Sequence, residues 1–191
     1  DRLGRDVKGE SGMERKKAGI LGITLLLMAA ALWGCSRPEE NKGDTPVTDV
    51  ALADIEKAVA AVFGDNYVPN TEYDAGALES EFGVKQDWYE NAIAKGPMIS
   101  AQVDTFVGIE AKKDHAQEVE DALLAYRKRL LEDTMQYPMN QIKIQASQVV
   151  RYGNYVFFLM LGELSMEDMD RGDQAALEAA QAENQKAVDA V

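Results

Sequence analysis

One cysteine, Cys35, and one histidine, His115, in 191 residues remove several classes of chemistry at the outset. A lone cysteine cannot close a disulfide within the chain, so an exported domain built from it has to be stable through its core alone. Zinc ligation calls for several Cys or His side chains, which the chain does not have. A nucleophile–histidine–acid arrangement would have to use His115, which stands beside Asp114 at the start of a predicted helix and reads as a helix-start surface residue. The calcium-loop pattern of alternating Asp or Asn followed by Gly and a distant Glu is missing, as are the phosphate-cradling and dinucleotide glycine patterns. No cofactor is implied. Basic residues are also scarce, 20 against 33 acidic. Setting aside the ten charged residues that precede Cys35 leaves 14 basic and 29 acidic, a balance of −15. A domain of that charge repels nucleic acid and anionic headgroups.

What is present begins with Met13 to Cys35. Arg15, Lys16 and Lys17 form a basic segment, Ile20 to Trp33 carries no charge, and Gly34 is a small residue before the cysteine. The apolar run is close to the ~7 to 15 residues of an export-signal core and shorter than the ~20 of a spanning helix. Leu32, Trp33, Gly34 and Cys35 resemble the lipobox of bacterial lipoprotein signal peptides, with Trp33 an unusual occupant of the tolerant position. The resemblance implies cleavage before Cys35 and a lipid on its sulfur, placing the protein at the outer face of the bacterial cytoplasmic membrane. Asp1 to Gly12 is polar and Gly-rich, and is expected to be a gene-model extension ahead of Met13.

Residues 35–47 hold the lipidated cysteine and a flexible tether, Ser36 to Pro46, which has Pro, Gly and charge but no large apolar side chain. The domain proper is expected over 48–163. Thr48 caps a predicted helix to Phe63 with Leu52, Ile55, Val59 and Val62 on one face. Asp74 to Phe82 and Lys85 to Ala94 read as two weaker helices, ended by Gly96 and Pro97. From Met98 to Lys112 the period changes to two, predicting a long strand with Ile99, Ala101, Val103, Thr105, Val107, Ile109 and Ala111 buried and a partly solvated opposite face. Asp114 offers a cap, with Gln117 at capping-box spacing, for a helix to about Glu132. Thr134 to Asn140 reads as irregular, broken by Pro138. Strands Ile142 to Arg151 and Tyr155 to Leu161 flank Gly153 and Asn154, a pair suited to a tight hairpin. The apolar second strand should be central or covered on both faces. The fold class expected is α+β: a small, mostly antiparallel three-stranded sheet of strand, helix and hairpin packed on helices. Residues 164–191 form an acidic, Ala-rich tail with helix propensity but a poor apolar stripe, read as a frayed helix or a solvated tail.

Four segments carry a second resemblance: Gly96 to Ile99, Val103 to Phe106, Tyr137 to Asn140, and the run from Ala146 to Phe158. Over Val50 to Gly162 the chain resembles an uncharacterised domain of lipoproteins in Gram-positive bacteria, domain of unknown function 4358. That implies a compact α/β domain behind a lipid anchor and carries over no activity or catalytic residue. Besides Cys35 as the lipidation site, the sequence nominates Asp104, Arg151, Tyr137, Asn140 and Gln148 as a ligand-binding patch on an open sheet face; the bland alternative is a structural Asp104–Arg151 ion pair with loop hydrogen bonds. The functional expectation is a non-enzymatic envelope lipoprotein that binds a protein or small ligand, with an envelope hydrolase using paired carboxylates as the alternative. A broad exposed apolar or aromatic patch on the open sheet face would favour a partner surface, and a closed, deep pocket with two converging carboxylates would favour the enzyme.

Overall fold

The computed structural model describes residues 50–191. The expected signal segment, Cys35, the tether, Thr48 and the proposed extension lie outside the described residues. Helices α1 (Leu52–Phe63), α2 (Ala75–Phe82), α3 (Ala116–Glu132), α4 (Pro138–Ala146), α5 (Met166–Asp170) and α6 (Asp173–Ala190) surround strands β1 (Thr71–Glu72), β2 (Tyr89–Gly96), β3 (Thr105–Ala111), β4 (Gln148–Tyr152) and β5 (Tyr155–Met160). The strands form one five-stranded sheet in the order β1-β2-β3-β5-β4, every neighbouring pair antiparallel. The class is therefore α+β with an antiparallel sheet, and the expected count of three strands is corrected to five.

Two of the corrections come from tertiary pairing overriding local preference. Tyr89 to Ala94, expected as part of a helix over Lys85 to Ala94, belongs instead to a strand paired with β3, Ala92 opposite Ile109 and Ala94 opposite Val107. Alternation then sends Ala94 to one core cluster and Ile93 to the other. Conversely, Pro138 to Ala146 is a helix, with Pro138 in its first turn, where its fixed φ suits a helix start and its missing N–H costs nothing. Ile142 and Ile144 looked like alternate strand positions; on the helix they enter two different clusters. The strand begins only at Gln148.

The long strand also starts later than its period suggested, at Thr105, and Met98 and Ile99 are exposed in the loop before it. Its second face is not solvated. Val107, Ile109, Val156 and Phe158 pack with Leu78, Phe82, Val119 and Leu123 of α2 and α3 on one side. Phe106, Phe157 and Leu159 pack with Leu52, Ile55 and Val59 of α1 and Ala187 of α6 on the other. All six residues of β5 are buried, as its apolar character on both sides required. Gly153, at φ 60, leads the two-residue β4–β5 turn, the position that a type II′ hairpin reserves for glycine. Asp114 does not cap α3: it takes φ 72 in the preceding turn, and His115 occupies the cap without a side-chain bond.

The C-terminal segment is a docked layer. Ser165 and Asp168 close a reciprocal capping box on α5. On α6, Ala176, Ala180, Asn184 and Ala187 are buried, a stripe of small side chains at helical spacing. Asn184, 1% exposed, accepts the Leu161 N–H at 2.9 Å and donates to Ala146 O at 3.0 Å, pinning α6 to the ends of β5 and α4. Small residues permit this approach without the large apolar stripe by which core helices are usually recognised.

Candidate functional site

The sheet positions three buried acid–base pairs. Glu56 of α1 accepts from Lys95 of β2 at 3.1 Å and from the Tyr67 hydroxyl at 2.9 Å; burial, reinforced by the bond to Glu56 and its charge, pushes the Tyr67 phenol well above its ordinary value. Glu120 of α3 meets Arg151 of β4 at 3.1 Å. Asp104, immediately before β3, takes Lys143 Nζ of α4 on both carboxylate oxygens at 2.6 Å.

The third pair lies at the wall of a cleft at one end of the sheet, about 310 Å³ in volume. The turn after α1 contributes Asp65 and Asn66, the β2–β3 loop Gln102 and Asp104, and α4 Asn140 and Lys143. Val68, Met139 and Leu164 supply apolar wall, and Glu163 stands where the chain leaves β5. Burial raises the Asp104 carboxyl above its ordinary value, while the Lys143 charge and hydrogen bonds pull it back down. Asn140 is 6% exposed and donates Nδ2 to Ala101 O at 3.1 Å, tying α4 to the β2–β3 loop.

A larger neighbouring cavity of about 430 Å³ shares Asn66 and Glu163, whose side chains are joined at 2.9 Å. Its other charged lining groups include Glu183 and Lys186, which pair with each other, and none of its polar side chains is deeply buried. The smaller cleft is the one with buried polar chemistry in its wall.

The nominated residues separate into two groups. Asp104 and Asn140 share the cleft. Arg151 is elsewhere: it pairs with Val156, which neighbours Ile109, five residues along β3 from Asp104. At ~3.3 Å per residue that is roughly 16 Å along the strand. Arg151 instead binds Glu120, Gln117 Oε1 and Gly153 O, a clamp between α3 and the hairpin, so the expected Asp104–Arg151 pair does not form. Gln148 donates to Gln185 of α6 at 3.3 Å, and Tyr137 is exposed at the start of α4. The open sheet face on which the five were to converge does not exist, because α1 and α6 cover it. Lys143 was missed, since reading Ile142 onward as a strand gave no reason to turn it toward Asp104.

Chemically, a carboxylate held on both oxygens by an ammonium is not a free general base, and neither a deep carboxylate dyad nor an open partner face is present in the cleft. Among the described residues no cluster of His, Cys, Asp or Glu is arranged to hold a metal ion. Unspent acceptors remain at the rim and on Asn140, alongside the side-chain amide of Gln102, which can donate as well as accept.

Fold and cleft together define a small α+β domain, an antiparallel sheet between two helical layers with a polar cleft at one end. The family model described as Domain of unknown function (DUF4358) matches residues 63–161, and the chain belongs to that family. The match runs from the end of α1 through β5, taking in most of the cleft but not α6. No curated protein and no solved structure matches the chain.

Proposed function

We infer that this protein is an exported lipoprotein, held at the outer face of the bacterial cytoplasmic membrane by a lipid on Cys35, whose domain binds a ligand or a group of an envelope protein in the end-of-sheet cleft. The observation that supports it is the polarity of the domain. Val50, the first described residue, is held through its carbonyl by the Tyr155 hydroxyl at 3.1 Å, at the hairpin end of β5. The cleft opens at the other end, beyond Met160, some 20 Å away for six residues of strand. A tether such as Ser36 to Pro46 has a mean reach of roughly 18 Å. The first described residue and the cleft therefore lie at opposite ends of the sheet.

Among the described residues no helix is long and apolar enough to cross a membrane. Metabolic labelling with a fatty acid, comparing the native chain with Cys35→Ser, tests the reading. Label on the native protein, lost in the variant together with membrane retention, is the expected result. A Cys35→Ser protein that stays in the membrane would make the apolar segment a retained helix and remove the lipoprotein reading.

A further inference from the structure

We propose that the end-of-sheet cleft is a site for a primary alkylammonium group on a short aliphatic stem, presented either by a free diamine or by a lysine side chain of a peptide. The inference deepens the binding role given above and rests on it. Three observations carry it.

The first is an oriented, unspent acceptor. Asn140 is 6% exposed, and its Nδ2 is committed to Ala101 O, which can only accept. The amide is therefore fixed in one orientation, with Oδ1 left over. That oxygen has no protein donor among the described residues, yet it is not among the buried atoms sealed from a partner, and Asn140 lines the cleft. An amide oxygen held in one orientation, without a protein donor, is able to accept an N–H or O–H from a ligand.

The second is the charge of the lining. Asp104 and Lys143 neutralise one another, which leaves Asp65 and Glu163 as the net charge of the lining. An anion would face both of these carboxylates, with the one cation present already bound on two oxygens. A cation would face two acceptor groups and Asn140 Oδ1, drawn by a domain that is acidic throughout.

The third is shape and donor number. The acids are not clustered as a metal site requires, so the acceptors suit a cation whose donors diverge, and an ammonium has three. Val68, Met139 and Leu164 provide apolar wall for methylenes, and about 310 Å³ is at the small end of ligand pockets.

The test is an NMR titration of the full isotopically labelled chain in detergent micelles. The probes are 1,5-diaminopentane, Nα-acetyl-lysine N-methylamide, pentanol and propionate. Both amines are expected to shift the backbone amides of Asn66, Gln102 and Gly162 with Kd on the order of 1 mM, the range of a small fragment. Pentanol should bind more weakly and propionate not at all. Glu163→Gln keeps the acceptor for Asn66 and removes one charge from an exposed position, so it should leave the fold intact and weaken both amines roughly fivefold. Asp65→Asn should act similarly. A tighter acetyl-lysine derivative would identify a peptide as the source, and a tighter diamine a free amine. Equal binding of propionate, or amine affinity unchanged in both charge variants, would overturn the ligand class. Shifts at the cleft from propionate or pentanol alone would leave the cleft as a binding site and reject only the ammonium; no shift there from any probe would reject both.

Discussion

Replacing Lys143 with Met is the sharpest test of how the cleft is built. The ammonium bonds both oxygens of Asp104 at 2.6 Å, with side-chain exposures of 12% and 4%. Lys143→Met keeps most of the apolar stem and deletes the charge, leaving a carboxylate that is buried and without its side-chain partner. Breaking a buried pair from one side typically costs about 3 to 5 kcal/mol, whereas replacing both members with apolar side chains is often neutral or better. The double variant Asp104→Leu/Lys143→Met should therefore recover about 2 kcal/mol or more of the single variant's loss. The pH dependence follows from the direction of the Asp104 shift. Burial already raises that carboxyl above 3.8, and Lys143 lowers it; without Lys143 it rises further. A folded-state value above the unfolded one means that the folded protein binds the proton more readily, so this group's penalty is largest above the folded value and fades as pH falls toward 3.8. Urea unfolding followed by circular dichroism, near neutral pH and again near pH 4, reads both effects. A single-variant loss below about 1 kcal/mol near neutrality, or a loss that grows in acid, would refute the reasoning.

Two further predictions concern the docking of α6. Asn184→Ala strips partners from the buried Leu161 N–H and Ala146 carbonyl and should cost about 3 kcal/mol by urea unfolding; a loss under about 1 kcal/mol would mean that α6 is held by its alanines alone. Gly162, at φ 110, would place an added Cβ 2.5 Å from the Glu183 Cβ, so Gly162→Ala should destabilise by roughly 2 to 4 kcal/mol and expose α6 to limited proteolysis. Wild-type protease resistance in that variant would contradict the close approach of β5's end to α6.

Much of the scaffold was legible because its signals are local. The Gly153-Asn154 turn between two apolar runs gave the hairpin, and the apolar character of Tyr155 to Leu161 on both sides required cover on two faces. The stripe of Val119, Leu123 and Tyr126 gave α3. β2 was not legible, because alanine favours a helix in isolation and becomes a strand residue only when β3 lies beside it. Nor was α6, whose buried stripe is alanine and one asparagine, indistinguishable in sequence from a solvated helix until a neighbour approaches closely enough to need small side chains.

The candidate site divides along the same line. Asp104 and Asn140 could be picked out as polar residues bordering apolar runs, but their partners could not. Asp104 sits 39 residues from Lys143, and Arg151 lies 31 from Glu120, separations at which pairing is decided by how strands and helices stack. By itself the sequence determined the acidic charge, the single cysteine with its signal-like approach, the hairpin and the family. Only the tertiary structure decided which acid meets which base, that both sheet faces are covered, and where a cleft remains. The physical reason is that charge and periodicity are properties of neighbours along the chain, while burial and ion pairing are properties of neighbours in space.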